Sequence, residues 1–151
     1  MNIPEIKISD LRLKELMKEY DITEQELEYA GVKGVAELLS WKIFFFRKKD
    51  DLSKTVAAYF FEIADSEIEE TANVLLERLG MDFRFGEEIK VTEELGEPDF
   101  FDDVLENTIR YGYVLSPDRF ISIGLTNGRL SFLEVVNDEQ IIQEIISVRN
   151  S

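Results

Sequence analysis

The chain of 151 residues is 44% hydrophobic and 11% aromatic, enough apolar material for one packed domain, and its formal net charge is −15. It has neither cysteine nor histidine, so disulfides, thiolate nucleophiles, Cys/His zinc sites and Ser-His-Asp catalysis are excluded. Such acidity repels nucleic acid phosphates and anionic lipid and attracts basic proteins; direct nucleic-acid or membrane binding is not expected, and a basic protein partner is.

The opening MNIPEIKISD has no basic stretch ahead of an apolar one. The densest apolar run, Ile43 to Phe46, is too short to span a bilayer, so a cytoplasmic location is expected. Ser9 suits an N-cap for a helix through Tyr20, with Leu13, Leu16, Met17 and Tyr20 on one face. Thr23 and Glu26 match a capping box that opens a second helix toward Ala30. Gly31 and Gly34 punctuate it, and Val35 to Ser40 adds a further helical turn. Two short helices and a tight turn have the outline of a helix-turn-helix, but Glu24, Glu26 and Glu28 would face the phosphates. Helices packed on a sheet are the better reading of residues 1–40.

Over 41–80, WKIFFFRK (Trp41 to Lys48) and TVAAYFFEI (Thr55 to Ile63) read as strands apolar on both faces, with Trp41 in the core. Arg47, Lys48 and Lys49, followed by Asp50 and Asp51, read as a solvated turn. Asp65 caps a helix to Leu79 whose Ile68, Ala72, Leu75, Leu76 and Leu79 keep a 3.6 period, and Gly80 sits where a C′ glycine belongs. Residues 81–106 form an acidic loop region: a short helix from Glu87 to Glu94 ending at Gly96, Pro98 to stop it, then an aromatic-acidic loop from Asp99 to Asp103.

The last part, 107–151, holds three strands: TIRYGYVL, RFISIGLT and RLSFLEVV. Asn127–Gly128 predicts a two-residue hairpin turn pairing Leu125 with Leu130 and Ile123 with Phe132. A two-residue turn from Ser116 to Arg119 would put Tyr111 and Tyr113 on the face of Phe120, Ser122 and Gly124, with Tyr111 across the glycine. That face is then either a second core layer or a bare aromatic patch. Asn137 caps a closing helix carrying Ile141, Ile142, Ile145 and Ile146 on one side. The expectation is one α+β domain: a largely antiparallel sheet of about five strands with helices packed against it.

The stretch EEIKVTEELGEPDFFDDVLE, Glu87 to Glu106, holds the main candidate site. Asp99, Phe100, Phe101, Asp102 and Asp103 form an aromatic anchor in an acidic rim, with Glu93, Glu94 and Glu97 as flanking charge and Tyr111 and Tyr113 as a neighbouring aromatic surface. The plainer reading gives the phenylalanines to the core and the carboxylates to water. Paired aspartates suit magnesium or calcium, but the ligand spacing of an EF-hand loop is absent. Asp82 with Glu88, Ile89 and Lys90 matches the loose D…ExK pattern of metal-dependent nucleases, for which the charge is wrong. No catalytic motif, metal or cofactor is expected.

From Leu79 to Asn137, a glycine-flanked acidic helix, ELGEP, the strand YGYVL and the hairpin FISIGLTNGRLSFLEVV follow in order. This layout resembles the C-terminal half of small bacterial immunity proteins, which neutralise polymorphic or contact-dependent toxins. The resemblance covers about the last half of the chain and implies a role, occluding a basic toxin or nuclease, but no fixed residues. Two other roles agree with the composition: a nucleic-acid mimic that inhibits a host DNA-binding enzyme, and a carboxylate-based metal or ligand module.

Overall fold

The structure, a computed structural model, describes residues 1–11 and 19–150. Among these residues it contains eight strands: β1 (Thr23–Tyr29), β2 (Val32–Ser40), β3 (Ile43–Lys48), β4 (Ala58–Glu62), β5 (Phe100–Leu105), β6 (Thr108–Ser116), β7 (Arg119–Thr126) and β8 (Arg129–Val136). Three short helices accompany them: α1 (Ser66–Arg78), α2 (Val91–Leu95) and α3 (Glu139–Arg149). All eight strands form one antiparallel sheet in the order β1-β2-β3-β4-β8-β7-β6-β5. The α+β class holds, but the expectation of about five strands with packed helices does not. Among the described residues no helix is long and apolar enough to cross a membrane.

The extra strands come from segments expected elsewhere. Thr23 to Ala30 is not a helix, and Val35 to Ser40 is not a helical turn: they are β1 and most of β2, joined by Ala30 and Gly31 at φ 47° and 82°. Those two left-handed residues close a tight hairpin with Tyr29 opposite Val32. Tertiary pairing overrides the helix propensity of the glutamates, since β2 buries Val32, Ala36 and Leu38 on one face and Val35 on the other. The aromatic-acidic loop is likewise a strand, β5. The helix expected from Ser9 to Tyr20 lies mostly outside the described residues, and Ile8–Leu11 form a 3-10 turn.

The sheet is a middle layer. On one face α1 lays Ala72, Leu75 and Leu76 against Phe45, Phe61 and Leu133. Asp65 caps this helix by accepting from the Ile68 N–H at 2.9 Å, and Gly80 follows it at φ 78°. Asn73 exchanges two bonds with the Phe85 backbone, at 2.8 and 3.2 Å, and so ties the 81–95 segment to the helix. On the other face α3 buries Ile141 and Ile142 against Phe46, Phe120 and Val136. Its N-cap is Asp138, accepting from the Ile141 N–H at 3.0 Å, and not Asn137.

This second face is concave. The Tyr29 hydroxyl on β1 donates to the Glu134 carboxylate on β8. Four inter-strand steps separate those strands, roughly 19 Å on a flat sheet and more than the two side chains span. The sheet therefore curls around α3, and the β1–β2 turn meets the helix: a Cβ at Gly31 would stand 3.4 Å from Glu144 Oε2.

Two bulges reset the expected registers. Leu125 pairs with Leu130, but an irregularity after Gly124 moves Ile123 opposite Leu133 and Phe132 opposite Gly124. Between Val114 and Ser116 the β6–β7 register slips by one, pairing Tyr111 with Ile123 and Tyr113 with Ile121. A one-residue slip changes every face. Both tyrosines thus lie on the α1 side, away from Phe120, Ser122 and Gly124, and Arg110, not Tyr111, crosses Gly124. Trp41 is 64% exposed in the β2–β3 turn, because β2 and β3 close there and the indole has no layer above it.

Candidate functional site

β5 is an edge strand, and its first residues explain its course. Pro98 cannot continue α2, and Asp99 anchors the chain by accepting from the Val114 N–H at 2.8 Å while donating its own N–H to the Gly112 carbonyl at 2.8 Å. From there side chains alternate. Phe100 and Asp102 turn to the α3 face, and Phe101 and Asp103 turn to the α1 face.

The two phenylalanines have opposite fates. Phe100 packs across Gly112, near Phe120 at 6.4 Å between ring centroids, with the Arg149 guanidinium 4.9 Å from its ring. Asp102 pairs with Arg149 at 2.6 Å, closing this side with the end of α3. Phe101 is 58% exposed and meets Tyr111 edge-to-face, 5.6 Å between centroids and 76° between planes.

Tyr113 is buried beneath that pair, its hydroxyl donating to the Gly96 carbonyl at 3.0 Å. Burial pushes its pKa up, and the neighbouring Tyr111, Glu97 and Asp99 push it further. The bonds to the Gly96 carbonyl and from the Val114 N–H hold Glu97 and Asp99 close to Tyr113. Glu93, Glu94 and Glu97 are exposed on and after α2, with Glu94 3.9 Å from the N-terminal ammonium.

Of the ten residues singled out from the sequence, the structure gathers Glu97, Asp99, Phe101, Asp103 and Tyr111 around one aromatic pair, in which Phe101 is exposed and Tyr111 half-buried. Glu93 and Glu94 lie farther along α2, Tyr113 is the floor, and Phe100 and Asp102 belong to the opposite face. The period-2 alternation of Phe100 to Asp103 is the signal that separates the two phenylalanines once the segment is read as a strand.

A second polar cluster has no signature in the sequence. Under α3, Glu134 is largely desolvated, accepts from Tyr29 and has Arg110 and Arg149 nearby. Desolvation raises the pKa of Glu134, against the lowering effects of the Tyr29 bond and the two arginines. Tyr29 is raised too, by desolvation first and the Glu134 charge second. The Arg110 guanidinium lies 3.8 Å above the Phe132 ring. Tyr29 and Glu134 are 105 positions apart, and no local pattern links them.

Elsewhere the surface is less organised. An open groove of about 650 Å³ runs past Lys33, Lys48, Lys49 and Gln140, but Lys48 is paired with Asp138 at 3.2 Å and Lys49 with Glu26 at 2.7 Å. Asp82 accepts from the Asn2 N–H at 3.0 Å, and Glu88 bridges to Arg129 through the backbone. Among the described residues no three metal-capable side chains converge. No protein-family model, curated protein or solved structure matches the chain, so its site is interpreted from its own chemistry alone.

Proposed function

We propose that the protein is an acidic protein-binding module of the immunity type, which occludes a basic toxin or nuclease. The observation that carries this reading is the exposed Phe101 ring at the sheet edge, set edge-to-face on the half-buried Tyr111 and flanked by the exposed carboxylates of Glu97, Asp99 and Asp103. An aromatic anchor contributes the desolvated centre of an interface, and the carboxylates supply the charge that selects a basic surface. A net charge of −15 adds long-range attraction, which salt screens over a Debye length of about 10 Å at 0.1 M. The absence of histidine and cysteine costs such a protein nothing.

The test is capture of partners from source-cell lysate by tagged wild type, by Phe101→Ala and by Asp103→Lys, each first shown to be folded by circular dichroism. One stoichiometric basic protein should bind the wild type, elute with salt, and be lost by both variants. Its own activity should fall on addition of equimolar wild type. Equal capture by all three baits would overturn the assignment of this surface.

A further inference from the structure

We infer that the outer edge of β5 takes up a basic, extended segment of the partner as a ninth strand of the sheet; this rests on the reading above for the partner's existence. β5 is last in the strand order, and among the described residues nothing pairs with its outer side. Six residues, Phe100–Leu105, give an open ladder of roughly 20 Å. An exposed edge of this length is a template for any extended chain unless its charges restrict which chain can pair.

The two edges of the sheet restrict pairing differently. On β1, Glu26 is held by Lys49 at 2.7 Å and Glu24 by Arg47 at 3.9 Å, and Glu28 stands opposite Lys33 in the β1–β2 register, so the molecule's own cations face that edge. On β5, Asp102 is taken by Arg149, but Asp99, Asp103 and Glu106 form no ion pair among the described residues. Cations that match them have to come from outside. A second copy of the chain is a poor occupant, since antiparallel pairing of β5 with itself sets acid against acid. A strand alternating cationic and apolar residues fits: its cationic side chains meet Asp99 and Asp103 on the α1 face, with their stems passing Phe101, and its apolar side chains lie on the opposite face beside Phe100. Main-chain bonds then supply affinity and the carboxylates supply selection.

The inference is tested on the full chain with a synthetic peptide of about six residues alternating lysine and valine, long enough to span β5. A lysine-proline peptide of equal charge is the control, because proline removes every second ladder donor. Amide exchange is followed by NMR. With the lysine-valine peptide at about ten times its Kd, exchange of the outward β5 amides should slow about tenfold. The control should leave them unchanged, and Asp103→Lys should reduce the protection severalfold. Equal binding of both peptides, protection at β1 instead, or no protection of β5 at millimolar peptide would overturn strand addition. Should a basic protein be captured from lysate through Phe101 and Asp103 while β5 stays unprotected in that complex, strand addition fails and the partner reading stands. Should the peptide protect β5 while no protein is captured, the edge accepts a strand and the partner reading fails.

Discussion

The sheet is built from two four-stranded meanders, β1 to β4 and β5 to β8, joined back to back through β4 and β8. Each ends in an acidic edge strand, yet the two edges are finished in different ways. The β1 edge is closed on itself: Arg47 and Lys49 answer Glu24 and Glu26, and Tyr29 curls inward to Glu134 on the other meander. The β5 edge is closed only on the α3 side, by Arg149, and on the other leaves Phe101 and three carboxylates in water. Equal positions in a topology thus carry unequal unfinished chemistry, and the unfinished edge is the one to which we assign the partner.

If that contrast is sound, the largest effect on stability belongs to the shared centre and the smallest to the open edge. Phe45 is 0% exposed between β2 and β4, touching Tyr59 and Phe61, and Phe45→Ala should cost about 3–5 kcal/mol in urea unfolding. Phe101→Ala should stay within about 0.5 kcal/mol, because the ring is mostly in water. Comparable losses would mean that Phe101 is a structural residue, and its claim as a binding anchor would weaken.

Both meanders also press a phenylalanine onto a strand glycine, at graded closeness. A Cβ at Gly34 would stand 2.3 Å from the Arg47 carbonyl and 2.3 Å from the Phe46 ring, at Gly124 2.6 Å from Phe132 Cβ, and at Gly112 3.1 Å from Phe100 Cβ. Overpacking costs about 1–3 kcal/mol and occasionally more, so Gly34→Ala should lie at or above that range, Gly124→Ala within it and Gly112→Ala near its lower end. The rank order carries the comparison. A Gly112→Ala penalty matching that of Gly34→Ala would show that β5 cannot yield, contrary to an edge able to accept a strand.

These glycines show what the sequence carried and what it hid. Turn chemistry was legible wherever residue type forces a backbone: Asn127–Gly128 at φ 52° and 78°, Gly80 after α1, Asp65 before it. Continuous apolar, aromatic-rich runs placed β3 and β4, and periodicity and turn signals placed α1 and the three strands that close the second meander. In β1 the same rule was available, since Glu24, Glu26 and Glu28 alternate with Gln25, Leu27 and Tyr29, but a capping-box match and good helix formers outweighed it. Registers were not legible, because a bulge is set by what packs on either face, and one inserted residue near Leu115 carried Tyr111 and Tyr113 to the other side. The candidate site was half visible for a related reason: its composition marks a surface, while the split between Phe101 and Phe100 exists only once β5 pairs with β6.

The bond that stitches the meanders together is the next point of attack. Tyr29→Phe removes the donor to Glu134 and leaves a desolvated carboxyl short of a partner, a loss of about 1–3 kcal/mol. The pH dependence follows from the direction of the shift. Glu134 has a folded pKa above its unfolded one, so its stabilising contribution is full below the ordinary carboxylate range and is lost as pH rises through the raised value. The Tyr29 bond pulls that pKa down, and removing it raises the folded value further. The Tm gap between wild type and Tyr29→Phe should therefore widen from pH 4 to pH 8, while Glu134→Gln, which keeps an acceptor for Tyr29, should lose stability relative to wild type least at pH 8. A gap independent of pH would mean that the Tyr29–Glu134 bond adds nothing to the β4–β8 ladder and the packing that join the two meanders.

The smallest effect tests whether the meanders differ in how their hairpins are made. Ala30 holds φ 47° at the start of the β1–β2 turn, where Asn127 holds φ 52° at the start of the β7–β8 turn. A left-handed conformation costs an ordinary L residue roughly 1–2 kcal/mol, and asparagine tolerates it better. Ala30→Asn should therefore stabilise by about 0.5–1 kcal/mol and Asn127→Ala should destabilise by a similar amount. Neither change touches the Asn127 N–H bond to the Asn107 carbonyl, which is made by the backbone. Because both hairpins close antiparallel pairs in one sheet, unequal effects isolate what the neighbours add: α3 against the first turn, through Glu144 beside Gly31, and at the second the Ile89 N–H donating to the Gly128 carbonyl at 3.3 Å. A gain at Ala30 well below the loss at Asn127 would show that contact with α3, rather than turn chemistry, sets the curl of the first meander over the helix.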